Sequence, residues 1–406
     1  MTKRRQARYS LILLALSLLL ATCGSEPAPT SAPTSTPAPT GTARPTFTAT
    51  AVAQATQEPA PATEVAQAGS TATARPAATR TTRPSPTPPE MTPTPAATRA
   101  SGPAPRLNGL LIFPVFEPDD QTYHTLGLDL ASGQLSRVID EASQPTVSVA
   151  AGRIAWRSWK HDQRGLLSRP IDGADVWQMI PFNEAARPEW ASDGQRFVFH
   201  SRQEPDRESR LYLFTGVSEE PFVEIRRHGS PIIGRTPAFM PDGRTVYQGC
   251  VENNCGLYIM DADGANPQQI SSHKDDTTPA VSPDGNKIAY MSLQSGYWQV
   301  NVVNADGTDQ RRLTDDWYWN GLPVWSPDGQ QIIFVSTRDE NWPDTFQLTE
   351  NRLFRLWVMD ADGQNQRPLS QFSFQLDGVP ARIPDSEVAG WTEERLIWLP
   401  PQIPTN

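Results

Sequence analysis

Residues 323–336 read PVWSPDGQQIIFVS. Two short β-prone runs, Pro323-Val324-Trp325 and Ile332-Ile333-Phe334-Val335, flank Ser326-Pro327-Asp328-Gly329. The central four residues carry β-turn chemistry: Pro fixes φ near about −65° at the second position, Asp suits the third, and Gly accepts positive φ at the fourth. The stretch therefore predicts a β-hairpin with a loop slightly longer than two residues.

The same unit recurs. Ala280-Val281-Ser282-Pro283-Asp284-Gly285 leads into Lys287-Ile288-Ala289-Tyr290, Phe239-Met240-Pro241-Asp242-Gly243 into Thr245-Val246-Tyr247, and Glu189-Trp190-Ala191-Ser192-Asp193-Gly194 into Arg196-Phe197-Val198-Phe199. The turn aspartates fall at 193, 242, 284 and 328, at intervals of 49, 42 and 44. A second signature sits inside each period. Leu257-Tyr258-Ile259-Met260-Asp261-Ala262-Asp263-Gly264 matches Leu356-Trp357-Val358-Met359-Asp360-Ala361-Asp362-Gly363, and the run Gln299–Gly307 is a third copy. Each period thus holds four short strands and two tight turns, which is one blade of a β-propeller.

Weaker copies extend the array at both ends. Val147–Trp156 forms an earlier hairpin, and Val388-Ala389-Gly390-Trp391 with Arg395-Leu396-Ile397-Trp398 forms a last, truncated one. Leu110–Phe113, Thr125–Leu130 and Gln134–Val138 supply the strands it lacks. The expectation is an all-β chain with a six-bladed propeller of four-stranded antiparallel blades over residues 106–402. The two termini share one blade and close the ring, leaving few exposed sheet edges. Seven blades result if the ends form separate ones.

SPDG turns followed by an aliphatic-aromatic strand, then a strand ending in MDADG or NADG, resemble the PD40 repeats of TolB-like β-propellers. The resemblance covers about residues 106–400. It implies a fold used for many functions, so the activity has to be argued from a site. TolB itself carries an α/β domain ahead of its propeller, where this chain has a low-complexity tract.

The expected location comes from residues 1–23. Lys3, Arg4, Arg5 and Arg8 form a positive segment, and Leu11 to Ala21 is apolar but too short for a mature transmembrane helix. Leu20-Ala21-Thr22-Cys23 resembles a bacterial lipobox, which implies lipidation at Cys23; a plain signal peptide and an uncleaved anchor are the other readings. Residues 24–105 hold 17 of the 40 prolines, much Thr and Ala, and a single aromatic, Phe47. Such a tract cannot bury enough apolar surface to offset its ordering entropy, so it reads as a disordered tether. The implied arrangement is a propeller held outside the cytoplasm, lipid-anchored to a bacterial membrane and monomeric.

The net charge is −10, and the leader and tract are both positive, so the remaining domain is markedly acidic. That disfavours nucleic acid and anionic lipid as partners. Cys250 and Cys255 flank Val251-Glu252-Asn253-Asn254, between two predicted strands. A disulfide across the hairpin suits an exported domain; two free thiols, or half of a metal site, are the alternatives.

Candidate binding residues lie where the repeats are least regular, because irregular loops on a rigid scaffold commonly carry binding. One inter-blade link contains Asp275 and Asp276, a second contains Asp315, Asp316, Trp317 and Trp319, and the loop after Val335 contains Arg338 and Trp342. Aromatics beside carboxylates suit an envelope protein, a peptide or a glycan at the channel mouth; packing between blades and turn capping would place the same residue types there. The expected role is a protein- or ligand-binding scaffold. The alternative is a propeller enzyme, a glycan lyase or hydrolase with a channel-centred site. No Gly-x-Ser-x-Gly elbow or His-Glu-x-x-His helix is present, the five histidines are scattered, and no catalytic residue, metal set or cofactor is expected.

Overall fold

The computed structural model describes residues 107–216, 222–293, 296–338, 353–376 and 390–401. The leader with Cys23, the tract 24–105 and Trp342 lie outside the described residues. Apart from one 3-10 helix over Trp391–Glu393, every regular element described is a β-strand.

The strands group into four-stranded antiparallel sheets in chain order. The terminal strands β1 (Leu110–Glu117), β2 (Thr122–Asp129) and β3 (Leu135–Ile139) come first. Next is the sheet β4 (Ala142–Ser148), β5 (Arg153–Ser158), β6 (Gly165–Pro170) and β7 (Trp177–Ile180). It is followed by β8 (Ala186–Trp190), β9 (Phe197–Ser201), β10 (Arg210–Phe214) and β11 (Phe222–Glu224). A short ribbon, β12 (Arg226–Arg227) with β13 (Ser230–Pro231), precedes β14 (Gly234–Phe239), β15 (Thr245–Val251), β16 (Asn254–Met260) and β17 (Gln268–Gln269). Then come β18 (Thr277–Val281), β19 (Lys287–Ser292), β20 (Gln299–Asn304) and β21 (Arg311–Arg312). The last complete group is β22 (Asn320–Trp325), β23 (Gln331–Ser336), β24 (Leu353–Asp360) and β25 (Arg367–Pro368). The chain then runs through β26 (Phe374–Gln375), which pairs with both β24 and β1, to β27 (Ile397–Leu399).

The turns fold as their chemistry dictates. Gly194, Gly243, Gly285 and Gly329 have φ of 69°, 89°, 74° and 72°. Asp328 accepts the Ser326 hydroxyl at 2.6 Å and the Gln330 N–H at 3.0 Å, and Asp284 repeats this with Ser282 at 2.6 Å and Asn286 at 3.1 Å. Those bonds, the serine hydroxyl foremost, hold both carboxyls below their usual range. Cys250 and Cys255 stand opposite each other across β15 and β16 and are joined by a disulfide.

Blades stack face to face, so their middle strands are buried on both sides and read as continuous apolar runs. In β23 all residues after Gln331 are buried, whereas the outer strand β3 has no buried residue. The innermost strands touch in the order β27, β4, β8, β14, β18, β22 and back to β27, which closes a ring.

Closure rests on β27, which pairs antiparallel with β1 through Leu110–Leu399, Leu111–Trp398 and Ile112–Ile397. Among the described residues from Gly390 onward the C-terminal segment contributes this one strand, and Val388 and Ala389 of the other expected strand lie outside the described residues. Trp391 sits instead in the 3-10 helix, 2% exposed, against Phe354, Trp319 and Trp298 with ring centroids 4.9, 6.0 and 6.4 Å away. Burying that large ring between neighbouring units outweighs extending the chain there.

Candidate functional site: a charged funnel in the channel

Five inner strands carry the same irregularity. Gln144, Arg187, Thr236, Thr278 and Leu322 all have positive φ, between 47° and 54°, and each lies at a register shift against its neighbouring strand. Each is followed by proline: Pro145, Pro188, Pro237, Pro279 and Pro323. Proline removes one ladder donor at the place where the extra residue breaks the pairing. A bulge re-aims a side chain, and here all five bulged residues are buried. The C-terminal segment adds Glu394 to this level. Its Oε2 accepts the Gln144 N–H at 3.1 Å, while the Gln144 side-chain oxygen accepts the Arg187 N–H at 2.8 Å.

On the turn side of this level lies a cavity of about 230 Å³ lined by residues from all the inner strands. Phe239, Trp325, Trp398 and Ile397 supply apolar wall, and Pro283 and Pro327 of the SPDG turns reach its rim. The lining also includes Arg187, Thr278, Glu394, Glu189 and Arg395. It is a funnel with an apolar wall and a charged, hydrogen-bonding floor, open through the turn face.

Arg187 is 2% exposed. Its Nη1 donates to the backbone carbonyl of Glu394 at 2.6 Å, not to a carboxylate, and its Nε has no hydrogen-bond partner. Burial, followed by repulsion from Arg395, lowers this guanidinium to about 9. The Glu394 carboxyl, equally enclosed, is lifted by burial to about 7. Arg395 forms an ion pair with Glu189 and donates to the Pro188 carbonyl at 2.6 Å. Thr278 Oγ1 is a second buried polar atom without a partner. Beyond the floor, His200 is held well below its ordinary range by burial and then by Arg235, Arg187, Arg157 and Arg202. Its Nδ1 takes the Thr236 N–H at 3.3 Å.

The residues singled out in the loops separate into engaged and open ones. Asp316 pairs with Arg338 and accepts the Tyr318 N–H at 3.0 Å and the Asn320 side-chain amide at 2.8 Å. Arg338 lies 4.7 Å over the Trp357 ring and donates to Gln366 at 2.7 Å. Trp319 stacks on Trp391. Asp276 is fully buried, with one oxygen on the His273 N–H at 3.3 Å and the other unpartnered. Asp315 projects into solvent beside Arg312. Asp275 is half-buried near His273. Trp317 is 69% exposed, with its ring edge-on to Tyr297 at 5.8 Å. None of the described loop residues lines the channel cavity, whereas Arg187, Thr278 and Leu322 of the bulged ring do. The sequence carries a signal for that ring: proline five residues before the turn aspartate at 188, 237, 279 and 323.

Residues 171–350 match the family model described as the TolB beta propeller domain, PD40. An uncharacterized protein of Agrobacterium fabrum (strain C58) is 31% identical over 153 residues, 34% of this chain and 51% of that protein. An uncharacterized peptidase of Bacillus subtilis (strain 168) is 32% identical over 114 residues, 26% of this chain and 17% of that one. This chain therefore spans only about half, or less, of the length of the curated relatives it matches. Among solved structures, TolB from Acinetobacter baumannii superposes with a TM-score of 0.54 at 18% identity, over 66% of this chain and 64% of that one. At that identity the likeness speaks for the fold.

Proposed function

We propose that this chain, a TolB-like β-propeller, is an envelope binding module that takes a segment of a protein partner into the funnel on its turn face. The ring has six blades in this reading, with the termini sharing one of them. The leader and the Pro/Thr tract hold it outside the cytoplasm on a lipid at Cys23. Among the described residues no helix is long and apolar enough to cross a membrane. One observation carries the assignment: the buried Arg187 Nε, without a hydrogen-bond partner on the floor of a cavity walled by every inner strand. A buried donor left unpaired costs about 1–3 kcal/mol, more for a charged group, and an inserted carbonyl or carboxylate would relieve that cost. A plugged, purely structural channel would be filled by apolar side chains, and this floor is polar.

A second reading has one observation in its favour. On the opposite, loop face the exposed Trp317 packs edge-on against the half-buried Tyr297, two residues along the chain from the exposed Asp315. Aromatic edges beside a carboxylate suit a peptide or a sugar there.

The test is photo-crosslinking of the full chain in envelope preparations, with the reactive residue at position 283 on the turn face or at 317 on the loop face. A discrete partner captured from 283, and lost when Val281→Arg narrows the funnel, supports the funnel. Capture from 317 alone moves the site to the loop face. Capture from neither position defeats the binding reading.

A further inference from the structure

We infer that the hairpin joining β1 and β2 carries a binding site for a divalent transition cation of the zinc or manganese class, formed by Glu117, Asp120 and the Nε2 of His124. One ligand atom from each of these residues lies within 4.8 Å of the others, close enough to share one ion. The hairpin explains the convergence. Glu117 ends β1 opposite Thr122, and His124 follows two residues on, on the same sheet face. Gln121, with φ of 53°, turns the chain between them and donates its side chain to the Pro118 carbonyl at 2.8 Å, so that Asp120 stands 3.6 Å from His124 Nε2.

Two further observations point to an ion. His124 is 4% exposed, yet its Nε2 has no hydrogen-bond partner. A buried imidazole nitrogen aimed between two carboxylates without a bond is a ligand atom in waiting. The second observation is charge. Glu117, Asp120 and Asp140 surround the imidazole, and Arg137 is the only cation paired with them among the described residues. With His124 neutral, the cluster carries two excess negative charges, which one divalent ion balances.

The surroundings suit coordination through Nε2. Such binding requires the ring proton on Nδ1, and Asp140 Oδ1 lies 3.3 Å from Nδ1 to accept it. That is the outer-shell carboxylate that orients metal-bound histidines. The Glu141 N–H also points at Nδ1, at 3.3 Å, and favours the other tautomer when no metal is bound. Arg137 bonds Glu117 Oε1 at 2.6 Å and Asp140 Oδ1 at 3.1 Å, leaving the second oxygen of Glu117 for the ion. One imidazole and two carboxylates match zinc or manganese, with the remaining positions taken by water. The ion would pin this hairpin, in the unit completed by the C-terminal strand β27.

The experiment titrates Co²⁺ into the full-length protein, follows its visible absorption, and displaces it with Zn²⁺. The expected result is one equivalent bound by the wild type. Asp120→Asn, at an exposed position, should weaken binding at least tenfold, and His124→Gln should abolish the spectrum. Asp140→Asn should weaken it by about 10–100-fold. His273→Gln, on a distant unit, should change nothing. No stoichiometric binding, or binding unaffected by Asp120→Asn in a variant that melts like wild type without metal, overturns the assignment.

Discussion

Replacing Glu394 with Gln should make the stability of this protein less sensitive to pH. Burial lifts the Glu394 carboxyl from its ordinary 4.5 to about 7. The folded state therefore holds a proton that the unfolded chain releases at lower pH. Stability from this group is fully present below about pH 4.5 and is lost as pH rises through about 7. At about 1.36 kcal/mol per pH unit, the loss is about 3 kcal/mol. Glu394→Gln keeps the shape and the acceptor for the Gln144 N–H but cannot ionise. Part of the gain is offset, because the Glu394 charge also favours the buried Arg187. The variant should thus match wild type at pH 4.5 and exceed it by about 1–3 kcal/mol at pH 8. Urea unfolding at half-unit pH steps measures the difference. His200 titrates with the opposite sign: its lowered value gives stability that is lost as pH falls below its ordinary 6.5. Subtracting variant from wild type removes that contribution. A difference independent of pH, or a wild type that gains on the variant as pH rises, would refute the argument and make Glu394 an ionised partner at all these pH values.

Other perturbations test the packing. Trp391→Ala should cost about 3–5 kcal/mol in urea unfolding, because the ring is buried among three other aromatics. Gly321→Ala places a methyl 2.7 Å from both Met291 and Trp391 and should cost about 1–3 kcal/mol by the same assay. Asp316→Ala leaves the 15%-exposed Arg338 unpaired and should lower the thermal midpoint, whereas Trp317→Ala should stay within about 0.5 kcal/mol of wild type. Opening the Cys250–Cys255 bridge removes only a short loop constraint, worth about 2 kcal/mol at most, and the reduced protein should keep its β-sheet circular dichroism.

The repeat was legible because each blade is a local object. Ser326-Pro327-Asp328-Gly329 and Asp360-Ala361-Asp362-Gly363 need only their own backbone and hydroxyl or amide partners to fold, so their chemistry shows directly in the letters. That the N-terminal strand at Leu110 completes the last, truncated blade was also legible, since an incomplete blade demands strands from elsewhere, whereas the register with Leu399 was not. Trp391 was less so: its periodicity fits a strand, and only the space beside Phe354 and Trp319 makes it a helical plug. The loop residues show the same ambiguity. Asp316 and Trp317 are adjacent and chemically alike candidates, yet one is locked under Arg338 and the other projects into solvent.

By itself the sequence determined the strands, the turns and their period, because those depend on φ, ψ and neighbours within a few residues. Only the tertiary structure decided which side chains meet. Gln144, Arg187 and Glu394 lie 43 to 250 residues apart, and each looks ordinary in its own segment. Ring closure brings the innermost strands around one axis, and a bulge before proline turns one residue of five of them inward, so that Arg187 and Glu394 line the funnel floor and Gln144 bonds to both. Burial then changes their chemistry, raising one carboxyl and lowering one guanidinium, through desolvation that no single stretch of the chain encodes.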